Sequence, residues 1–200
     1  MSNPPSDNDF ISLGKDAGLD LQKNDGLSQI SVILGWDTES YEGDFDFDLD
    51  AEAFLLNKNN RVRNNQDLVF YKNLEHVSGS VVHQGDNSVL KGDADGEIIN
   101  VDLDKVPKNI EKIVFTVTID DAEFREQNFG MVNNTYISII DNATGKELVN
   151  CQLAENFGEA TALVVGEIVR HQGIWKFRPL RRGSQKTLFD LCVDYGVSVK

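Results

Sequence analysis

The sequence predicts a mainly β fold, an antiparallel β-sandwich with a short helix near 120–127 and a C-terminal helix near 184–195, and three observations predict it. Apolar residues recur at period two or in short runs. Residues that favour turns bound those runs. None of them is followed by the long amphipathic helix that a doubly wound α/β fold requires after each strand.

In chain order, residues 1–9 are rich in Ser, Asn, Pro and Asp and read as a disordered lead-in, with a single domain expected over 10–200. Eight strands are expected, at 30–36, 45–54, 68–71, 98–103, 113–119, 136–140, 162–169 and 174–177. The run Asp141-Asn142-Ala143-Thr144-Gly145 and the triplet His171-Gln172-Gly173 carry the residues that close hairpins, so their flanking strands are expected to be antiparallel. In residues 120–127 polar and charged side chains predict at most a couple of helical turns. From 184 to 195 the signal is stronger: Ser184 can cap, Leu188, Leu191, Cys192 and Tyr195 share a helical face, and Gly196 supplies a stop.

With 200 residues, 40% of them apolar, and 11 Phe and 2 Trp, the chain has enough apolar surface to build a core. Its formal charge of -14 argues against nucleic acid as a partner, because displacing counterions from phosphates takes a basic surface. The same charge favours cations as ligands, although on its own it also serves solubility. No run is long and apolar enough to span a membrane, and MSNPPSDNDF has neither a basic nor an apolar signal region, so a cytoplasmic protein is expected. Cys151 and Cys192, far apart and outside any CxxC, are expected to be reduced, buried and not catalytic.

The acids are clustered. Asp37, Glu39, Glu42, Asp44, Asp46, Asp48 and Asp50 follow one another without an intervening Lys or Arg. Strand alternation would put Phe47 and Leu49 on one face and Asp46, Asp48 and Asp50 on the other. Phe45 is expected in the core more readily than as an exposed aromatic beside these acids. A second cluster runs through Gly85-Asp86-Asn87-Ser88 and Gly92-Asp93-Ala94-Asp95-Gly96-Glu97, where glycines let the backbone turn several oxygens inward.

Calcium takes about 6 to 8 oxygen ligands in flexible geometry, including neutral amides such as Asn87, whereas zinc prefers His and Cys. The helix-loop-helix calcium motif is absent. Starting it at Asp44 puts Leu49 in the glycine position and Leu55 in that of the closing glutamate, and starting at Asp93 puts Ile98 in the glycine position. Any site is therefore assembled from separate loops. A solvated acidic loop without an ion is the plainer explanation for either cluster alone. Asp102 and Asp104 read as turn or strand-end residues, and His83 as a hydrogen-bonded strand histidine.

Gly35-Trp36-Asp37, Phe47-Asp48-Leu49-Asp50-Ala51, His83-Gln84-Gly85-Asp86-Asn87, Gly92-Asp93-Ala94-Asp95-Gly96-Glu97 and Gln127-Asn128-Phe129-Gly130 resemble, in order and spacing, the TerD family of bacterial tellurite-resistance and chemical-stress proteins. Gly166-Glu167-Ile168-Val169-Arg170-His171 with Trp175-Lys176-Phe177-Arg178 is similar to the family's closing hairpin. The similarity starts near Ile11 and continues to the C-terminus.

It implies a cytoplasmic β-sandwich, not an enzyme, that binds calcium, usually a pair of ions, at acidic loops on one end. The implied ligands are Asp37, Asp48, Asp50, Asp86, Asn87, Asp93, Asp95 and Glu97. The chain departs from the usual pattern at Gly96, at Ser88-Val89-Leu90-Lys91 and at Asp120, for which a helix-cap role is expected. The expected function is calcium-dependent or calcium-stabilised interaction with other proteins of a stress-resistance system, or self-association. Two rivals remain, a Mg²⁺- or Mn²⁺-dependent hydrolase and calcium-dependent docking to anionic membranes, the latter with Lys91 as the only lysine at a loop tip.

Overall fold

The computed structural model describes residues 18–21, 26–38, 41, 43–85, 95–153 and 157–199, and for Asp95 the backbone alone. The expected lead-in at 1–9 lies outside them. Among the described residues, eleven strands form two antiparallel sheets. Leu19–Asp20 (β1), Ile174–Ser184 (β11), Ala162–His171 (β10), Lys112–Ile119 (β7), Leu49–Leu56 (β3) and Leu68–Val69 (β4) stand side by side, in that order, in the six-stranded sheet. Val81–His83 (β5), Asp95–Asp102 (β6), Gln29–Asp37 (β2), Asn133–Asp141 (β8) and Glu147–Gln152 (β9) make the five-stranded one.

Alternation decides which side chains enter the sandwich. Ile30, Val32 and Leu34 from β2, Ala51, Ala53 and Leu55 from β3, and Phe115 and Val117 from β7 point inward and meet in one core. On the other face of the six-stranded sheet Phe54, Leu56, Leu68, Val114 and Ala162 form a second core under Leu188–Tyr195 (α1). The helical face expected from spacing, Leu188, Leu191, Cys192 and Tyr195, is the one that packs there. Both cysteines are buried and free.

Five expectations are corrected. Helix α1 starts at Leu188 with Thr187 as its cap, while Ser184 ends β11; Thr187 and Asp190 form a reciprocal capping box, and Gly196, at φ 82°, ends the helix as expected. Residues 120–126 are a succession of turns instead of a helix, because Asp121 (φ 47°) and Glu126 (φ 54°) adopt left-handed backbone that a helix excludes. Asp120 consequently caps nothing; its amide donates to the Asp48 carbonyl at 2.9 Å. The strand expected at 45–54 starts only at Leu49, so alternation does not govern Asp46 and Asp48, and Phe45 is exposed against Phe124 instead of buried.

Strands β1, β5 and β9 are additions to the expected eight, each too short or too polar to show a period. Both expected hairpins are present. Gln172 and Gly173, at φ 51° and 81°, make the tight turn between β10 and β11. Gly35 lets the Tyr136 ring lie against β2, since a Cβ there would stand 2.3 Å from the ring.

Candidate metal centre

Three acid-bearing strand ends converge on one end of the sandwich. In the β2–β6 ladder Gly35 faces Gly96 and Trp36 faces Asp95, so Asp37 leaves β2 beside the start of β6. On its other side Asp37 pairs with Asn133 of β8, and Asn134 Nδ2 donates to Asp37 Oδ2 at 3.1 Å. Strand β3 starts at the same end, with Leu49 opposite Ile119.

Glu97 joins the two sheets there. Strand β4 reaches β3 only at Ala53 and Phe54, which leaves the Ala51 amide in need of an acceptor. Glu97, buried on the inner face of β6, accepts that N–H on Oε2 at 2.6 Å. The same oxygen lies 3.1 Å from His83 Nε2, while Gly85 N–H donates to His83 Nδ1 at 3.0 Å. With Nδ1 accepting, the ring proton sits on Nε2 and is given to Glu97. His83 is thus the hydrogen-bonded strand histidine expected, and both its nitrogens are engaged.

The remaining candidates divide. Asp48 is exposed, with its carboxylate 3.5 Å from Arg125, which also lies 3.6 Å from Asp120. Asp50 sits on the outer face of β3 beside Thr118, turned away from the sandwich interior that Glu97 enters. Asp86, Asn87 and Asp93, and the side chain of Asp95, lie outside the described residues; the flanks of that loop, Gly85 and the start of β6, open at the end where Asp37 emerges. Among the described residues no three of His, Cys, Asp and Glu gather closely enough to hold an ion.

The donor set fits a hard cation. Apart from the engaged His83, the candidate groups offer oxygen only, as calcium prefers. Gln127 adds an orphan. Its Nε2 donates to the Phe45 carbonyl at 2.8 Å, between Asp44 and Asp46, while its buried Oε1 has no donor among the described residues.

Sequence inspection passed over two buried acids. Glu52, wholly buried between β3 and helix α1, accepts from Thr118 Oγ1 at 2.6 Å and from Thr116 Oγ1. Burial pushes its carboxyl up from 4.5 to about 8 in spite of both hydroxyls, and the charges of Asp50 and Glu97 push the same way. A neutral Glu52 is therefore what the folded protein carries near neutrality. Its signal in the sequence is a lone acid inside the apolar run Ala51-Glu52-Ala53-Phe54. Burial and the Glu52 charge also push the Cys192 thiol up to about 11, which removes it from nucleophilic chemistry.

Asp67 is the second. It takes the Arg63 amide at 2.7 Å and the Arg63 guanidinium at 2.5 and 2.8 Å, with His76 Nε2 at 3.1 Å. Burial alone would raise its pKa, but the bonds from Arg63 and His76 outweigh it and hold the carboxyl well below the usual range. His76 is completed by Ser78 Oγ, 2.7 Å from Nδ1. Both sit in the connection between β3 and β5 and tie it to itself.

A model of the family described as TerD domain matches residues 10–195. The chain belongs to the TerD domain family. General stress protein 16U of Bacillus subtilis (strain 168) is 47% identical over 94% of this chain and 98% of its own length. Tellurium resistance protein TerD of Serratia marcescens is 41% identical over 94% of this chain and 98% of its own. Among solved structures, a homologue of telluride resistance protein (TerD) from Streptomyces coelicolor A3(2) superposes with a TM-score of 0.62 at 22% identity, over 83% of this chain and 95% of that one, a likeness of fold. The β-sandwich described above is thus a TerD domain. No helix among its described residues is long and apolar enough to cross a membrane.

Proposed function

We propose that this TerD domain is a calcium-binding module of a bacterial tellurite and chemical-stress resistance system, acting through protein interaction that calcium stabilises. The observation that carries the proposal is the convergence of Asp37, the start of β6 and the start of β3 on one end of the sandwich, where the two flanks of the 86–94 loop also emerge. Folding brings these like charges together, and a divalent cation relieves the repulsion. The names of the relatives, a general stress protein and a tellurium resistance protein, support the biological setting.

In this proposal Asp37, Asp48, Asp86, Asn87, Asp93 and Asp95 supply the oxygens, with Asp50 at the margin. Glu97 contributes chiefly by holding β3 against β6, since one of its oxygens already carries two hydrogen bonds. Bound calcium would bring these oxygens together, and the described residues at both flanks fix where the 86–94 segment starts and ends. The hydrolase alternative gains no imidazole at this end: His83 is engaged on both nitrogens, and His171 lies on the β10–β11 turn at the opposite end.

Thermal melting in calcium and in chelator tests the proposal. Calcium is expected to raise Tm of the wild type and to leave an Asp93→Asn, Asp95→Asn variant unmoved. An equal rise in the variant would remove the 86–94 loop from the site, and no rise in the wild type would remove calcium from the function.

A further inference from the structure

A groove of about 900 Å³ lies between the acidic end of the six-stranded sheet and helix α1. Four aromatic rings stand exposed in or beside it: Phe124 at 75%, Phe189 at 59%, Phe45 at 44% and Tyr71 at 36%. Rings of this size left in water mark interaction surfaces more often than chance scatter does. They are also held in place. Phe45 and Phe124 stack with centroids 5.6 Å apart, and the buried Gln127 side chain ties the Phe45 carbonyl to the turn that carries Phe124. The Arg125 and Gln127 amides close that turn on the Asp121 and Ala122 carbonyls.

Around these rings acids outnumber bases, although Arg125 lies 3.6 Å from Asp120. Asp50, Asp120, Asp121 and Glu123 line the groove, and Lys72 is the one base among its lining residues. We propose that this groove docks a cationic amphipathic segment of a partner protein, its apolar side chains against Phe124 and Phe189 and its Lys or Arg side chains on the acidic rim. The rim steers the approach and selects the sign of the partner, and the rings supply the affinity. An anionic lipid surface is repelled by the same acids. A second copy of the chain is a poorer match: Arg178 and Lys176 on β11 are engaged by Glu167 and Asp20, and the Arg170 guanidinium lies over Trp175. The surface is built from described residues and goes beyond the calcium proposal without depending on it.

The test is fluorescence anisotropy of the full chain with a labelled Leu/Lys peptide whose leucines share one helical face, in chelator and again in calcium. Peptides with the same residues in scrambled order, and with Glu in place of Lys, are the controls. Wild type is expected to bind the amphipathic peptide at least about tenfold more tightly than either control. Phe124→Ser with Phe189→Ser, which leaves every charge in place, is expected to weaken binding about tenfold. Asp104→Asn with Glu75→Gln, exposed acids outside the groove, is expected to leave it unchanged. Equal binding of the scrambled peptide, an aromatic variant that binds like wild type, or an equal loss on removing the remote acids would overturn the proposal by reducing the effect to bulk charge. So would a wild-type dimer in sedimentation that the aromatic variant dissolves, since the occupant would then be a second copy.

Discussion

Replacing Glu52 by Gln should make the protein more stable as pH rises, and the size of the effect follows from the site. In the unfolded chain this carboxyl loses its proton near the ordinary value of 4.5, whereas the folded protein holds it until about 8. Between those values the folded state binds more protons than the unfolded, so this group's contribution to stability falls as pH rises and levels off above about 8. Each pK unit is worth about 1.4 kcal/mol, which makes the penalty on the order of 3 kcal/mol near pH ~7 for a side chain with no exposed surface. Glutamine has the same shape, accepts from one threonine hydroxyl and donates to the other, and does not titrate. Urea denaturation of wild type and Glu52→Gln at pH ~5, ~6.5 and ~8 reads the difference directly, because the other groups titrate alike in both. The variant is expected to match wild type within about 1 kcal/mol at the lowest pH and to gain on it by about 1.4 kcal/mol per unit thereafter. A difference that stays constant with pH would refute a neutral Glu52.

Asp67 should behave with the opposite sign. Its depressed pKa means that its contribution is present above pH ~4 and lost as pH falls below it. Asp67→Asn should therefore cost about 3 kcal/mol near neutrality, from an Arg63 and His76 left without their carboxylate, and should flatten the acid limb of the stability curve; an unchanged acid limb would contradict this. Leu191→Ala should cost about 3 kcal/mol in the same urea assay, since Leu191 fills the second core between helix α1 and the six-stranded sheet. A loss below about 1 kcal/mol would mean that the helix does not pack as described.

Elements whose local pattern and tertiary role agree were legible in the sequence. Strands β2, β7 and β10 alternate or run apolar because both neighbours in the ladder and one or both faces are covered. The helical face of α1 was legible for the same reason, and its start was missed because Thr187 sits beyond a β11 that continues to Ser184. In 120–127 charged residues with fair helix propensity were overridden by left-handed turns at Asp121 and Glu126 that present Phe124 and bury Gln127. Glu52 was passed over because it continues the Asp46-Asp48-Asp50 alternation; the apolar run around it is the local signal, and its partners Thr116 and Thr118 lie 64 and 66 residues away. The acids at the candidate centre were conspicuous, and alternation placed Asp50 on the face opposite the buried Leu49, but spacing could not say that Glu97 would spend an oxygen on the Ala51 amide.

The central claim is that acids drawn together at one end of a TerD domain bind calcium. Isothermal calorimetry of the chelator-treated full chain, with calcium as titrant and magnesium as control, tests it most directly. Saturable binding is expected with Kd between about 10⁻⁷ and 10⁻⁵ M, a stoichiometry of about two, and a magnesium response weaker by at least an order of magnitude. No saturable heat, or equal heats with magnesium, would contradict the account.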